Sequence, residues 1–274
     1  MTVDISSSPV GVFDSGVGGL TVVREIIRQI PSERVVYFGD TARLPYGSKS
    51  KETVLKYSRQ IIRFLNTQNV KAIVIACNTA SAYVLDEVSH ESDIPIIGVI
   101  NAGAHEAAIK TKSGKIGVIG TTATVSSGIY VDVIKTYRPT AEVYQKDCPL
   151  LVPLVEEGLR HDSITSEIAE RYLYDLKSRY IDTLVLGCTH YPLLRSTIRG
   201  VMGDDVCLIN PAYETAIELK HLLESKGLLN TDSTPTQEKY KFYVSDLAEK
   251  FQSFAQSILP EHIGQTQKIN IEDY

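Results

Sequence analysis

Short apolar runs without polar alternation recur along the chain, at 10–13, 35–38, 72–76, 96–99, 116–119, 183–186 and 206–209. A strand with one wet face alternates apolar and polar positions, so these runs predict strands covered on both faces, as in parallel sheets. Segments of helical periodicity lie between them. Val54, Ser58, Ile61 and Leu65, with Leu55 and Ile62, share one helix face, and Ile164, Ile168, Tyr172 and Leu176, with Ala169 and Leu173, share another. Strand and helix alternating from end to end predict an α/β protein with mostly parallel sheet.

The pattern also echoes itself. Val10-Gly-Val-Phe-Asp-Ser resembles Ile116-Gly-Val-Ile-Gly-Thr, and Ile73-Val-Ile-Ala-Cys-Asn-Thr resembles Leu184-Val-Leu-Gly-Cys-Thr-His. Gly11 precedes Cys77 by 66 residues and Gly117 precedes Cys188 by 71. Two matches in the same order suggest two similar α/β halves, each presenting one cysteine. Chance likeness between buried strands is the competing explanation.

Those two cysteines are the first candidates for chemistry. Each ends an apolar strand and precedes a predicted helix, the place where open α/β sheets bind ligands. Free N–H groups and the helix dipole there favour a thiolate, and can bring a thiol from about 8.5 to roughly 3.5–7.5. Polar, helix-capping residues follow them, Asn78-Thr79 and Thr189-His190, where a core strand would stay apolar. Cys207, within Val206-Cys-Leu-Ile, and Cys148, before Pro149, read instead as inert small apolar side chains. The wide spacing of the four cysteines fits neither a zinc site nor a disulfide scaffold.

Other groups gain interest from the thiols. The loop Asp14-Ser-Gly-Val-Gly-Gly19 follows the first strand, but Thr21 stands where a dinucleotide fingerprint needs glycine, and no P-loop is present. The loop can still offer N–H groups to a carboxylate, and Asp14 can take an ammonium or orient a thiol. A plain turn is the alternative. His190 lies two residues beyond Cys188 and can exchange protons with it. Thr121, Thr122 and Thr124 can bind carboxylate, cap the next helix, or do both.

Composition narrows the classes further. The 274 residues carry a net charge of −5 with no Lys/Arg cluster, so no nucleic-acid footprint is visible. No apolar run approaches the roughly 20 residues that cross a bilayer. The N-terminus lacks the basic start and apolar stretch of a secretory signal, and the protein is expected in the cytoplasm. The polar connector at 230–237 is the segment expected to be least ordered.

At this point the sequence resembles the glutamate racemases, of the aspartate/glutamate racemase family. The matching stretches are Gly11-Val-Phe-Asp-Ser-Gly-Val-Gly-Gly-Leu20, Tyr37-Phe-Gly-Asp-Thr-Ala-Arg-Leu-Pro-Tyr-Gly47, Ala76-Cys-Asn-Thr-Ala-Ser81, Cys148-Pro-Leu-Leu-Val-Pro-Leu-Val-Glu-Glu-Gly158 and Gly187-Cys-Thr-His-Tyr-Pro192. Ala123 stands where many members have glycine, and Asn210-Pro-Ala where an acidic start is common. The resemblance implies two similar α/β domains with the site between them, residues 1–98 with 210–274 forming the first and 99–209 the second. It implies that Cys77 and Cys188 are an acid/base pair, assisted by Asp14 and His190 respectively. It places Asp14, Ser15, Pro45, Tyr46, Gly47, Asn78, Thr79, Thr121 and Thr189 around the substrate.

The implied reaction is cofactor-independent interconversion of L- and D-glutamate, the D-isomer feeding bacterial peptidoglycan. No cofactor and no metal are expected. The expected partner is the small-molecule substrate, without nucleic acid or membrane, and a homodimer stays open. Racemisation of another acidic amino acid such as aspartate, or amino-acid binding without turnover, are the alternatives.

Overall fold

The computed structural model describes residues 5–232, 239–261 and 263–274. Most of the connector expected at 230–237 lies outside the described residues. The first strands and helices are β1 (Val10–Asp14), α1 (Leu20–Gln29), β2 (Val35–Gly39), α2 (Lys51–Thr67), β3 (Ala72–Ile75), α3 (Asn78–His90), β4 (Ile96–Gly98) and α4 (Val99–Lys110). The middle of the chain forms β5 (Lys115–Gly120), α5 (Thr122–Ser126), α6 (Ile129–Tyr137), β6 (Glu142–Asp147), α7 (Leu151–Glu156), α8 (Ser163–Ser178) and β7 (Thr183–Gly187). Then come α9 (Arg195–Met202), β8 (Cys207–Ile209), α10 (Pro211–Ser225), β9 (Tyr240–Val244), α11 (Ala248–Ile258) and β10 (Thr266–Lys268).

The strands form two parallel sheets, ordered β10-β9-β2-β1-β3-β4 and β6-β5-β7-β8. Four strands of the first sheet and all four of the second follow the same path, β2-β1-β3-β4 against β6-β5-β7-β8. The internal sequence echo falls on it: β1 and β5 are equivalent inner strands, and Cys77 and Cys188 follow the equivalent strands β3 and β7. The first sheet takes strands from both ends of the chain and the second from its middle.

Helices cover both faces of each sheet, which explains the unalternating strands. In the first sheet Val10, Val12, Val35, Tyr37, Ala72 and Val74 pack on one side with α1, α10 and α11. Phe13, Val36, Phe38, Ile73 and Ile75 pack on the other with α2 and α3. In the second sheet Leu184 and Leu186 face one core and Val185 the other. Cys77 continues the side of Ile73 and Ile75, and Cys188 that of Leu184 and Leu186.

Three strands escaped the sequence pattern: β6, β9 and β10. Glu142–Asp147 is an edge strand with no fully buried residue, Tyr240–Val244 starts half-buried, and Thr266–Lys268 is mostly exposed. The face expected of α8 is also rotated. Ile164 is exposed, and the buried stripe is Thr165, Ala169, Leu173 and Leu176. In α2 the expected Val54, Ser58, Ile61, Ile62 and Leu65 are all buried. Among the described residues no helix is long and apolar enough to cross a membrane.

Beneath the first sheet, at the end away from the cysteines, Lys71 Nζ and Glu33 Oε2 form an ion pair of 2.6 Å with neither side chain exposed. Lys71 also donates to Ser6 O, and Glu33 Oε1 accepts from Asn230 N at 2.8 Å. The pair ties the N-terminal segment, the start of β3 and the chain leading to β9. Removing one partner strands the other as a buried charge, at a cost of about 3–5 kcal/mol. Lys71→Met should lower the urea-unfolding free energy by that amount. A loss below about 1 kcal/mol, against the same general cost, would mean that no desolvated charge was left behind.

Candidate active site

Cys77 occupies the cap position of α3, with extended backbone, and its sulfur accepts from Ala80 N at 3.5 Å. Its thiol lies 3.7 Å from Ser15 Oγ. The strand end therefore supplies the N–H group expected of it, yet the thiol does not become acidic. Burial, then the charge of Asp14, push the Cys77 pKa up to about 12. The expectation of a depressed pKa fails here because two long hydrogen bonds, with Ala80 N and Ser15 Oγ, cannot offset lost hydration plus an adjacent anion. Asp14, at the end of β1, is itself buried, and its Oδ2 accepts from Gly16 N at 3.0 Å. Burial raises its pKa, against the opposing charge of His190.

Cys188 sits in different company. Its Sγ is 3.8 Å from His190 Nδ1, and His190 Nε2 is 3.0 Å from Glu156 Oε1. Burial alone would lower the His190 pKa, but the Cys188 and Glu156 contacts outweigh it and raise the imidazole to about 10. Glu156 is held below the usual carboxylate range, chiefly by its hydrogen bond to His190. At neutral pH this is a carboxylate–imidazolium pair whose Nδ1–H faces the sulfur. Sequence reading missed Glu156, which lies in α7, 34 residues from His190. The only sequence signal was its place in the segment ending Glu156-Glu157-Gly158.

The remaining candidates form the seam between the two sheets. Thr79 Oγ1 meets Thr121 Oγ1 at 2.9 Å and Thr124 Oγ1 at 3.4 Å. Thr121 also caps α5, accepting from Thr124 N, the capping role considered for it. Asn78 Oδ1 accepts from Tyr130 Oη at 2.7 Å. Thr21 Oγ1 donates to Thr189 O at 2.9 Å. A Cβ on Gly18 would run into Thr189 and the His190 ring, so only glycine lets the loop after β1 pass beneath that turn. Gly47 packs close to Thr121 in the same manner.

Two candidates stand apart from this network. Pro45, which follows a cis peptide bond, is exposed. The Tyr46 side chain is buried with its hydroxyl on Asp40 Oδ2 at 2.5 Å, and its carbonyl accepts from Lys49 N at 3.0 Å. Of the other cysteines, Cys148 is fully buried within the core of the second sheet, and burial pushes its pKa up to about 12. Cys207, expected in the core, is only partly buried at the start of β8. No group of His, Cys, Asp and Glu side chains that could hold a metal is found among the described residues.

The family description Asp/Glu/Hydantoin racemase matches residues 10–217. A glutamate racemase from Chlorobaculum tepidum is 49% identical over 90% of each chain. The crystal structure of a glutamate racemase isoform from Bacillus anthracis is 41% identical, with a TM-score of 0.92 over 96% of this chain and 98% of that one. That of the Francisella tularensis glutamate racemase in complex with D-glutamate is 40% identical, with a TM-score of 0.90 over 98% of this chain and all of the other.

The His190 assignment carries a pH signature. Its folded pKa of about 10 lies above the unfolded 6.5, so its contribution to stability is complete below pH 6.5 and is lost as pH rises toward 10. In that window one fewer proton is bound by the unfolded chain, and stability should fall by about 1.4 kcal/mol per pH unit from this group. Urea unfolding of the wild type and His190→Asn at pH 7, 8 and 9 measures it. The difference between the two should shrink with that slope as pH rises, and parallel curves would exclude a protonated His190 in the native state.

Proposed function

The chain belongs to the Asp/Glu/hydantoin racemase family, and on that premise we infer that it is an isomerase interconverting L- and D-glutamate. The extent of its identity to glutamate racemases carries the choice of glutamate over aspartate. The D-glutamate supplies peptidoglycan, and with it cell-wall biogenesis and cell shape. A cytoplasmic location and a division into 1–98 with 210–274, and 99–209, go with this reading. A binding protein without turnover has no use for a thiol on each half, and both are retained.

The observation that carries the mechanism is the pair of buried cysteines at equivalent strand ends, near enough that the charge of Cys188 bears on Cys77. Racemisation removes the α-proton from one face and returns a proton to the other, so an acid and a base must oppose each other. Cys188 as thiolate takes the α-proton of one enantiomer while the His190 imidazolium balances the charge. Cys77, a thiol because of burial and Asp14, gives its proton to the opposite face. The enzyme is then left with Cys77 as thiolate and Cys188 as thiol, the form that processes the other enantiomer.

Asp14 receives the substrate ammonium, which offsets the very charge that disfavours a Cys77 thiolate. Asn78, Thr79, Thr121, Thr189 and Ser15, with the main-chain N–H groups of Tyr46 and Gly47 beside Pro45, hold the two carboxylates. Fixed donors in a water-poor site supply the stabilisation that the carbanion needs. Protein groups do all of this, without a cofactor. Contact of roughly 3–3.5 Å on each face of the α-carbon sets the sulfurs about 7 Å apart when substrate is bound.

A thiol carries one proton, so the base that removes the α-proton cannot readily return a solvent-derived one to the same face. In deuterium oxide the opposite thiol is already deuterated. At low conversion the product enantiomer should carry α-deuterium while the remaining starting enantiomer stays protiated, from L- and from D-glutamate alike. Chiral separation followed by mass spectrometry reads this directly. Deuterium in the recovered starting enantiomer, before product can run backwards, would replace the two opposed thiols by one base with several exchangeable protons. Cys77→Ser and Cys188→Ser should each abolish the two-way reaction while leaving glutamate bound.

A further inference from the structure

Tyr130 lies in the first turn of α6 and is fully buried. Its ring packs among Ile116, Val118, Ile134, Val185 and Ile209. An ideal Cβ on Gly187 would sit 3.1 Å from the ring, so the tyrosine lies flush against the residue before Cys188. Its hydroxyl leaves this core, crosses to the other sheet and meets Asn78, the residue after Cys77. One side chain thus touches the immediate neighbours of both thiols.

The hydroxyl has a proton to place. Burial raises its pKa well above that of a free phenol, so the proton stays on. Its one hydrogen-bond partner among the described residues is Asn78 Oδ1. An asparagine amide has a donor end and an acceptor end. With the acceptor end engaged by Tyr130, the NH2 end is the one left for a ligand. The reversed amide would leave a buried phenolic proton without an acceptor and would turn a carbonyl oxygen toward the substrate carboxylates. Both changes are unfavourable.

We propose that Tyr130 is a positioning residue for racemisation: its hydroxyl holds the Asn78 amide with the NH2 toward a substrate carboxylate. This rests on the reading of Asn78 as a carboxylate ligand. Tyr130 acts on binding of the dicarboxylate in either configuration and takes no part in the proton transfers. It also makes the carboxylate site dependent on the second sheet, since Asn78 is oriented only when that half brings the Tyr130 hydroxyl to it.

Tyr130→Phe keeps the ring, its packing and the contact with Gly187 while removing the hydroxyl. The KM for both enantiomers should rise about tenfold, the scale of one misplaced hydrogen bond, with kcat changed less than about threefold on the same scale. The thermal midpoint should be little altered. Asn78→Ala should raise KM as much or more, and adding Tyr130→Phe to it should cost nothing further, because the hydroxyl acts only through the amide. Two additive increases, or an unchanged KM in Tyr130→Phe, would overturn the positioning role. An unchanged KM in Asn78→Ala would instead remove the premise, the carboxylate contact of Asn78, and the proposal with it.

Discussion

Everything in the site depends on a narrow seam where the carboxyl ends of the two sheets meet. Thr21 with Thr189, Thr79 with Thr121 and Thr124, and Asn78 with Tyr130 cross it through hydrogen bonds between buried or nearly buried groups. Each is worth a net 0.5–1.5 kcal/mol at about the usual scale. These polar contacts therefore contribute a few kcal/mol in all, beside the packing of α4 on α10 that also joins the two halves. That balance suits a site that must exclude water during proton transfer and still admit and release a charged amino acid. The crossing groups are threonines, an asparagine and a tyrosine, which hold geometry without adding charge. The charged groups, Asp14 and the His190–Glu156 pair, are placed behind the thiols instead.

Much of this could be read from the chain because local pattern and tertiary role coincide. β1, β3, β5 and β7 are inner strands with both faces covered, so their residues are apolar except at the ends (Asp14, Lys115, Thr183), and the polar residues after Cys77 and Cys188 mark where the cores end. The edge strands β6 and β10 carry no such constraint and have no comparable signature. In the site, Asp14 and His190 were legible because they stand beside a strand end or a thiol. Glu156 and Tyr130 were not, since each reaches its partner through the fold from a distant helix. The acidity of Cys77 was misjudged for the same reason. A helix N-terminus is a local feature, whereas burial and the Asp14 charge arise only when β1 and β3 lie side by side.

The two halves share a topology but not an electrostatic environment, and thermodynamics limits what that difference can do. Cys77 is backed by a lone carboxylate and Cys188 by an imidazolium tied to a carboxylate. L- and D-glutamate have equal free energies in water, so kcat/KM must be equal in the two directions whatever the thiols prefer. The asymmetry can appear only as a different split of that ratio between kcat and KM. On the proposed two-thiol mechanism, the burial and Asp14 charge that keep a proton on Cys77 poise the free enzyme for the enantiomer whose α-proton faces Cys188. The other enantiomer must first meet or induce the opposite protonation pattern, with its ammonium at Asp14 easing the charge on Cys77. Opposite backing charges therefore do not bias the equilibrium. On that mechanism they decide which proton-transfer state waits between turnovers, with a carboxylate behind one thiol and an imidazolium–carboxylate pair behind the other.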